Sequence, residues 1–195
     1  VNLGTLGFIA ANRRESWRNS FEAWRLGKLE ASSRMMLQVD VVRGNKAMGR
    51  FSALNDGVVS SQGIAKMIRL CLGVDGERFG SYRADGLIVA TPTGSTAYSL
   101  AVNGPIVHPT LRALLLVPVA PQTLSNRPIV LPDNGTIGLT ITALGRVESG
   151  ASVHFDMQTW SDCQPGDRIE VCRANHTVRF IHPTGYSYFS TLRQK

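Results

Sequence analysis

The chain has 195 residues, 43% of them hydrophobic, which suffices for one large domain or for a domain with part of a second one. No apolar run is long enough to cross a bilayer, and the first residues lack the layout of a signal peptide. The formal net charge of +7 suits an anionic ligand, but the basic residues form no run and are not interleaved with aromatic residues. We therefore expect neither a nucleic acid nor a membrane as the partner.

The cysteine and histidine patterns argue against a metal or disulfide framework. The three cysteines are widely spaced and include no C-x-x-C pair, and the four histidines form no pair with metal-binding spacing. We therefore expect no metal site within the chain and a reducing, cytoplasmic location.

A helix is predicted near the start of the chain, over residues 15–30. Ser16 is placed to cap this helix and Gly27 to end it. Its aromatic residues recur at helical spacing, and we expect them to pack in the core: Trp17, Phe21 and Trp24.

Beyond Met35 the apolar residues alternate with a period of two, which is typical of strands. Asp75-Gly76 predicts a hairpin, and Pro118 predicts an edge strand or the end of a strand. Helices between the strands are scarce apart from a short one at Thr96–Val102, so we predict a mainly β, α+β fold of two packed antiparallel sheets. The expected strands lie at Leu37–Val41, Phe51–Ala53, Ile64–Val74, Glu77–Arg83, Leu87–Ala90, Ala113–Val119, Pro128–Leu131, Thr136–Ala143, Ser152–Phe155, Arg168–Cys172 and Thr177–Ile181.

Residues 83–99, R-A-D-G-L-I-V-A-T-P-T-G-S-T-A-Y-S, join a fully apolar strand to a cluster of hydroxyl side chains. A turn at a helix start leaves backbone N–H groups for a phosphate or a sugar hydroxyl, and Gly94 would let such a ligand approach the backbone. The hydroxyls of Thr93, Ser95 and Thr96 and the ring of Tyr98 add groups that suit a nucleoside. A purely structural turn is the alternative interpretation.

Acidic residues stand at three further strand ends. The Asn55 amide can donate to and accept from an adenine edge, and the Asp56 carboxylate can hold two ribose hydroxyls. Asp85, before Gly86, and Asp156, in H-F-D-M-Q, offer the same acceptor chemistry. A turn or bulge is the structural alternative for each of them.

These clusters, in this order, resemble the NAD kinase family, whose enzymes use ATP or polyphosphate to phosphorylate NAD to NADP. The run D-G-L-I-x-x-T-P-T-G-S-T-A-Y-S is highly specific to that family. Further matches are G-T-L-G-F at 4–8, A-L-N-D at 53–56, G-P-I-V-H-P at 104–109 and the closing I-H-P-T-G-Y-S-Y-F-S-T-L. The resemblance covers essentially the whole chain.

The resemblance implies a two-domain enzyme with an NAD site between an α/β domain and a β-sandwich. Residues 1–30 would be a remnant of the first domain and a connecting helix, 31–180 the NAD-binding β-sandwich, and 181–195 a tail or short helix. Asp56 stands where the family has Glu, so its reach is one methylene shorter. The implied NAD-binding residues are Phe8, Asn55, Asp56, Asp85, Thr93, Thr96, Ala97, Tyr98 and Asp156.

That assignment requires the two ends of the buried strand, carrying Asp85 and Thr96, to face a common cleft. The family's G-G-D-G motif, whose Asp is the leading candidate for activating the ribose 2′-hydroxyl, does not occur in this sequence. We therefore expect no catalytic residue here and negligible NAD phosphorylation by the chain alone.

The resemblance also implies a divalent ion, Mg²⁺ or another, accompanying ATP or polyphosphate, with NAD as the acceptor. It implies a homodimer or homotetramer. The alternatives are a non-catalytic nucleotide-binding or regulatory module, a lipid-kinase relative, and a nucleic-acid-binding β domain.

Overall fold

The computed structural model of the chain describes residues 14–15, 17–62, 67–123, 125–144, 150–156, 158–183 and 185–193. The helices are α1 (Trp17–Arg25), α2 (Tyr98–Ala101) and α3 (Tyr188–Arg193), and a 3₁₀ turn at Gly94–Thr96 precedes α2. The strands are β1 (Glu30–Arg43), β2 (Lys46–Ala53), β3 (Asp56–Ser61), β4 (Ile68–Val74), β5 (Glu77–Ala84), β6 (Gly86–Ala90), β7 (Ala113–Val119), β8 (Ile129–Pro132), β9 (Ile137–Ala143), β10 (Ala151–Phe155), β11 (Gln158–Cys163) and β12 (Arg168–His182).

The strands form two six-stranded sheets. The first sheet has the order β2-β1-β12-β9-β4-β5, and the second has the order β11-β10-β3-β6-β7-β8. Neighbours in the second sheet pair antiparallel throughout, as do the β1–β2, β4–β5, β4–β9 and β9–β12 pairs of the first. The predicted mainly β fold of two antiparallel sheets is confirmed.

The main apolar core is shared by the two sheets, because alternate residues along each strand face inward. Leu70 and Leu139 of the first sheet belong to the same buried cluster as Leu87 and Val89 of the second. Burial of this cluster is the main stabilising contribution to the fold.

Strands β6 and β7 are buried on both faces, which explains why their sequences are apolar without alternation. Ile88, Leu115 and Val117 point away from the main core and form a second buried cluster. Val107, from the loop that follows α2, completes this cluster. The second sheet is thus covered where β6 leads into the hydroxyl-rich turn.

Some element predictions are wrong in detail. The segments predicted as two strands, at Arg168–Cys172 and Thr177–Ile181, are one continuous strand, β12. β3 and β11 were not predicted, because Asn55, Asp56 and Gly57 interrupt the apolar pattern where β3 begins and the β11 sequence Q-T-W-S-D-C has no run of apolar residues. The prediction for Pro118 is confirmed, since it lies at the end of β7, one residue before Val119, and beyond the ladder with β8, which covers Ala113–Leu116.

The aromatic stripe of α1 is exposed, which corrects the prediction that it packs in a core. Trp17, Phe21 and Trp24 are 42%, 49% and 51% exposed, and no residue of α1 is buried against the described part of the chain. The helix lies outside the compact unit Met35–Thr177, which contains the main core. The proposed cap, Ser16, lies outside the described residues.

Contacts divide the chain into the unit Met35–Thr177 and a smaller unit of Val1–Arg34 with Val178–Lys195. In the smaller unit, His182 Nε2 lies 2.6 Å from Ser32 Oγ. The His182 ring also stacks on Tyr186, which ties the tail to the end of β12. The functional division at 1–30, 31–180 and 181–195 stays a prediction. Within the described residues, no helix has the length and apolar character needed to span a membrane.

Candidate functional site

The two ends of β6 lie at opposite ends of the strands of the second sheet. We call the end at which β6 finishes the Ala90 edge, and the end at which it begins the opposite edge. Asp85 precedes β6, and its backbone carbonyl accepts a hydrogen bond from Ser61 N–H at 2.9 Å. Thr91 follows β6, and at about 3.3 Å per residue the six steps along the strand separate these positions by roughly 20 Å. The expectation that Asp85 and Thr96 face a common cleft is therefore wrong for a single copy of the chain.

The other predicted polar clusters do meet at one edge. Because β3 is antiparallel to both β6 and β10, its first residues lie beside the last residues of those strands. Asp56 pairs with Ala90, and Phe155 pairs with Gly57. This register brings together Asn55 and Asp56, the turn from Thr91 to Tyr98, and Asp156.

The backbone of Leu54, Asn55 and Asp56 is fully hydrogen-bonded at this edge. The Asp156 carboxylate accepts from the N–H groups of Leu54 at 2.7 Å, Asn55 at 2.8 Å and Asp56 at 3.3 Å. On the carbonyl side, Thr91 Oγ1 donates to Leu54 at 2.6 Å and Thr91 N–H to Asn55 at 2.8 Å. Asp156 N–H donates to the Asp56 carbonyl at 3.2 Å.

With the backbone satisfied, the side-chain oxygens of Asn55 and Thr93 at this edge have no partner, and neither does Ser99 Oγ in the adjoining α2. Asn55 Oδ1 and Thr93 Oγ1 are buried and accept or donate no hydrogen bond among the described residues. Buried polar atoms are nearly always hydrogen-bonded in native proteins. Two unpartnered oxygens on adjoining segments therefore mark the place where a polar ligand would complete the site.

Three backbone N–H groups of the turn after β6 are used internally, where we expected the turn to point its N–H groups outward to a ligand. Gly94 N–H donates to Thr91 Oγ1 at 3.0 Å, and Ser95 and Ala97 N–H donate to Pro92 and Gly94 carbonyls. Ser95 Oγ is also occupied, because it accepts from Val107 N–H at 3.0 Å.

Gly94 serves the packing of the turn. A Cβ at this position would collide with the carbonyl oxygen of Asn55. The missing side chain therefore admits the neighbouring backbone, where we expected it to admit a ligand. Ala97 precedes α2, and no side chain caps this helix.

Asp56 is the most strongly perturbed acid at this edge. It is 6% exposed, and burial raises its pKa to about 6, with a further contribution from the negative charge of Asp156. The carboxyl group therefore titrates near neutral pH. In its ionised form it is an acceptor for hydroxyl groups, and in its protonated form it also donates.

The family model of the ATP-NAD kinase C-terminal domain matches residues 54–183. This range contains all the segments that meet at the Ala90 edge. The chain belongs to the NAD kinase family. It is 57% identical over all 195 residues to the NAD kinase of Bordetella parapertussis, of which it covers 65%. It is 47% identical over the same length to that of Ralstonia nicotianae, of which it covers 63%. The chain thus spans about two thirds of the length of these curated relatives.

Solved NAD kinase structures share the fold. The crystal structure of yeast NADH kinase complexed with NADH matches with a TM-score of 0.91 and 27% identity, over 98% of this chain and 57% of that one. An NAD kinase from Archaeoglobus fulgidus in complex with ATP matches with a TM-score of 0.78 and 26% identity, over 100% of this chain and 73% of that one. The family predicted from sequence is confirmed, and these relatives do not support the lipid-kinase alternative.

The NAD-binding residues that the resemblance implies do not all lie at the same end of the second sheet. Asn55, Asp56, Thr93 and the turn through Thr96, Ala97 and Tyr98 lie at the Ala90 edge, whereas Asp85 lies at the opposite edge. Asp156 lies at the Ala90 edge, but its carboxylate binds backbone N–H groups. Phe8 lies outside the described residues.

Thr91 is the residue that sequence reasoning missed. It is fully buried and joins the Asn55 turn to the Gly94 turn through both its hydroxyl and its N–H group. Its position between an apolar strand and Pro92 was the available signal. For a metal, the described residues offer no group of three or more His, Cys, Asp or Glu side chains.

Proposed function

We propose that this chain is the dinucleotide-binding part of an NAD kinase. The whole protein would transfer a phosphoryl group from ATP or polyphosphate to the 2′-hydroxyl of NAD, giving NADP. The observation that carries the proposal is the pair of buried, unpartnered oxygens on Asn55 and Thr93, beside the titratable carboxyl of Asp56. Family membership and the NADH and ATP complexes of the solved relatives support it.

The chain's own residues would bind and orient the acceptor. The Asn55 amide can pair with a base edge that both donates and accepts, and ionised Asp56 can accept from ribose hydroxyls. The Tyr98 ring, which is 47% exposed, is available to stack on a planar group. Phosphoryl transfer depends mostly on positioning and electrostatics, so holding the acceptor is a direct contribution to the reaction.

The divalent ion and the activating acid are assigned to no residue of this chain. The ion would accompany the phosphates of ATP or polyphosphate and neutralise their charge. The described residues provide no ligand set for it. We therefore expect this chain by itself to bind NAD without phosphorylating it, and to need the remaining part of an NAD kinase for turnover.

Titration of NAD into the full-length protein by calorimetry tests the binding proposal. Asn55→Ala and Thr93→Val should each weaken binding about tenfold, because each removes a hydrogen-bonding group without a partner in the protein. Asp75→Asn is a matched control, since Asp75 lies in the β4–β5 turn of the first sheet and should leave binding unchanged. Equal affinity in all variants would refute the site, and salt-dependent DNA binding without NAD binding would favour the nucleic-acid alternative.

Asp85 remains a proposed NAD contact on the basis of the resemblance. It lies at the far edge of the second sheet from Asn55. Asp85→Ala in the same titration decides its role: weaker binding would assign it to the dinucleotide, and unchanged affinity would remove it from the site.

We also propose that the protein is a homodimer or homotetramer in the cytoplasm. Within residues 98–111, Leu100, Ile106 and Leu111 are 42%, 44% and 55% exposed, and a second copy would remove this apolar surface from water. The three free cysteines suit a reducing compartment. Light scattering after size exclusion should give at least twice the chain mass, and a strict monomer would refute the oligomer.

The segment 1–30 is proposed to belong to a domain that is completed by the part of NAD kinases that this chain does not span, and 181–195 is proposed to be a tail or short helix. The exposed aromatic stripe of α1 supports this, since such a stripe is normally covered. Phe21→Asp should destabilise a whole NAD kinase that carries this segment and leave the stability of the 195-residue chain unchanged. Equal effects in both proteins would refute the proposed domain contact.

A further inference from the structure

Asp156 has a different place in the site from the one that the resemblance implied. Its Oδ2 accepts from Leu54 N–H at 2.7 Å, and its Oδ1 accepts from Asn55 N–H at 2.8 Å. Oδ1 also lies 3.3 Å from Asp56 N–H. Both carboxylate oxygens are therefore committed to three consecutive backbone donors.

We propose that Asp156 is a positioning residue, which holds the Asn55 and Asp56 side chains in place for the dinucleotide through their backbone N–H groups. This inference rests on the proposed NAD site and specifies how that site is built. Asp156 then acts on the ligand only through its neighbours.

The backbone of Asp156 supports this role. It has a φ of 51°, a left-handed conformation that Asp tolerates better than most residues. In this conformation Asp156 N–H reaches the Asp56 carbonyl at 3.2 Å while its side chain reaches the three N–H groups. The contact between Asp156 and residues 54–56 is thus reciprocal.

Thr91 completes the restraint from the opposite side. Its hydroxyl and N–H groups bind the Leu54 and Asn55 carbonyls, so neither end of those peptide groups is left to turn toward a ligand. The segment can therefore present only its side chains. A carboxylate is well suited to its half of this task, because charge-assisted hydrogen bonds to N–H groups are about twice as strong as neutral ones.

A double-mutant cycle distinguishes positioning from direct contact. Asp156→Asn leaves a single oxygen acceptor, so one of the two short bonds is replaced by an N–H group facing an N–H group. In the full-length protein, Asp156→Asn and Asn55→Ala should each raise the Kd for NAD about tenfold. If Asp156 acts through Asn55, the double variant should be little worse than Asn55→Ala alone.

Two effects that multiply, to about a hundredfold, would show that Asp156 acts independently of Asn55, although its carboxylate holds Asn55 N–H, and would overturn the proposal. An unchanged Kd in Asp156→Asn would overturn it as well. The matched control is Asp75→Asn, because Asp75 has the same φ of 51° and its carboxylate also accepts a backbone N–H bond, from Thr136 at 2.7 Å. It should leave the Kd unchanged.

The pH profile of NAD binding provides a readout that general loss of structure would not move. The midpoint contributed by Asp56 should fall in Asp156→Asn, because a neighbouring negative charge is removed. Asp156→Glu retains the charge at a different reach, so it should weaken binding while leaving the midpoint near that of the unaltered protein. This variant also decides the question if Asp156→Asn does not fold.

The failure of this inference differs from failure of the proposed function. If the unaltered protein does not bind NAD, both are overturned. If NAD binds and Asn55→Ala weakens binding, but the effects of Asn55→Ala and Asp156→Asn multiply, only the positioning role is overturned.

Discussion

Replacing Asp56 with Asn should stabilise the folded protein above about pH 6 while weakening its binding of NAD. The substitution keeps the shape of the side chain and the backbone N–H that donates to Asp156. It removes the negative charge that burial disfavours, since Asp56 is 6% exposed. Stability and ligand binding are therefore expected to change in opposite directions.

The size of the effect follows from the raised pKa. The pKa of Asp56 is raised from 3.8 to about 6, chiefly by burial and also by the charge of Asp156. At about 1.4 kcal/mol per pKa unit, this shift corresponds to roughly 3 kcal/mol. Because the folded state holds the proton more tightly than the unfolded state does, this group lowers stability progressively as the pH rises from about 4 to about 6. The full cost is present above that range.

Urea unfolding of the full-length protein at about pH 3.5 and about pH 8 measures this cost. The free energy of unfolding of Asp56→Asn, relative to that of the unaltered protein, should be up to about 3 kcal/mol larger at the higher pH than at the lower, because the variant is then the more stable protein. Taking the difference between the two proteins cancels the titration of distant groups. A difference that does not change with pH would refute the burial argument.

Three further outcomes are expected. Gly94→Ala should destabilise the protein by about 1–3 kcal/mol in thermal unfolding, because the new Cβ would collide with the backbone. The control is Gly80→Ala, which has no atom within 4 Å of the new Cβ and should cost less than about 1 kcal/mol. Equal losses of stability would contradict the packing argument. Burial would raise the pKa of Asp133, but hydrogen bonds from two arginines lower it. Asp133→Asn should therefore destabilise the protein by about 3 kcal/mol at neutral pH and by less as the pH falls below about 4. Arg112→Ala, whose side chain is 72% exposed, should cost under about 1 kcal/mol, and chemical denaturation across pH checks both. Burial raises the pKa of Cys163 to about 12, so a thiol reagent should modify the two half-buried cysteines of the native protein first, and early labelling of Cys163 would contradict its burial.

Local sequence signals were sufficient for most of the strands, because strand period and turn residues are properties of neighbouring positions. The alternation at Leu37–Val41 and the Asp75-Gly76 hairpin correspond to β1 and the β4–β5 turn. The break expected between Cys172 and Thr177 does not exist, since β12 runs without interruption through this polar stretch. Whether a polar strand segment continues depends on its neighbours in the sheet.

The candidate site shows most clearly the difference between what the local sequence predicts and what only the tertiary structure decides. The residue types that suit a dinucleotide are visible in the sequence, at Asn55, Asp56 and Thr93. Their order along the chain does not reveal that Thr91 and Asp156 bind the backbone of Leu54–Asp56, because those bonds join segments that are 35 or more residues apart. Sequence reasoning therefore assigned Asp156 to the ligand and passed over Thr91.

The sequence by itself determined the family, the mainly β fold and the chemical character of the polar clusters, because these depend on local periodicity and on specific runs of residues. Only the tertiary structure decided which clusters share an edge. Antiparallel pairing of β3 with β6 and β10 placed Asn55, Thr93 and Asp156 together and left Asp85 at the opposite end of β6. The physical reason is that strand direction and register set the distances between residues far apart in the chain, and both are fixed by burial of the shared core.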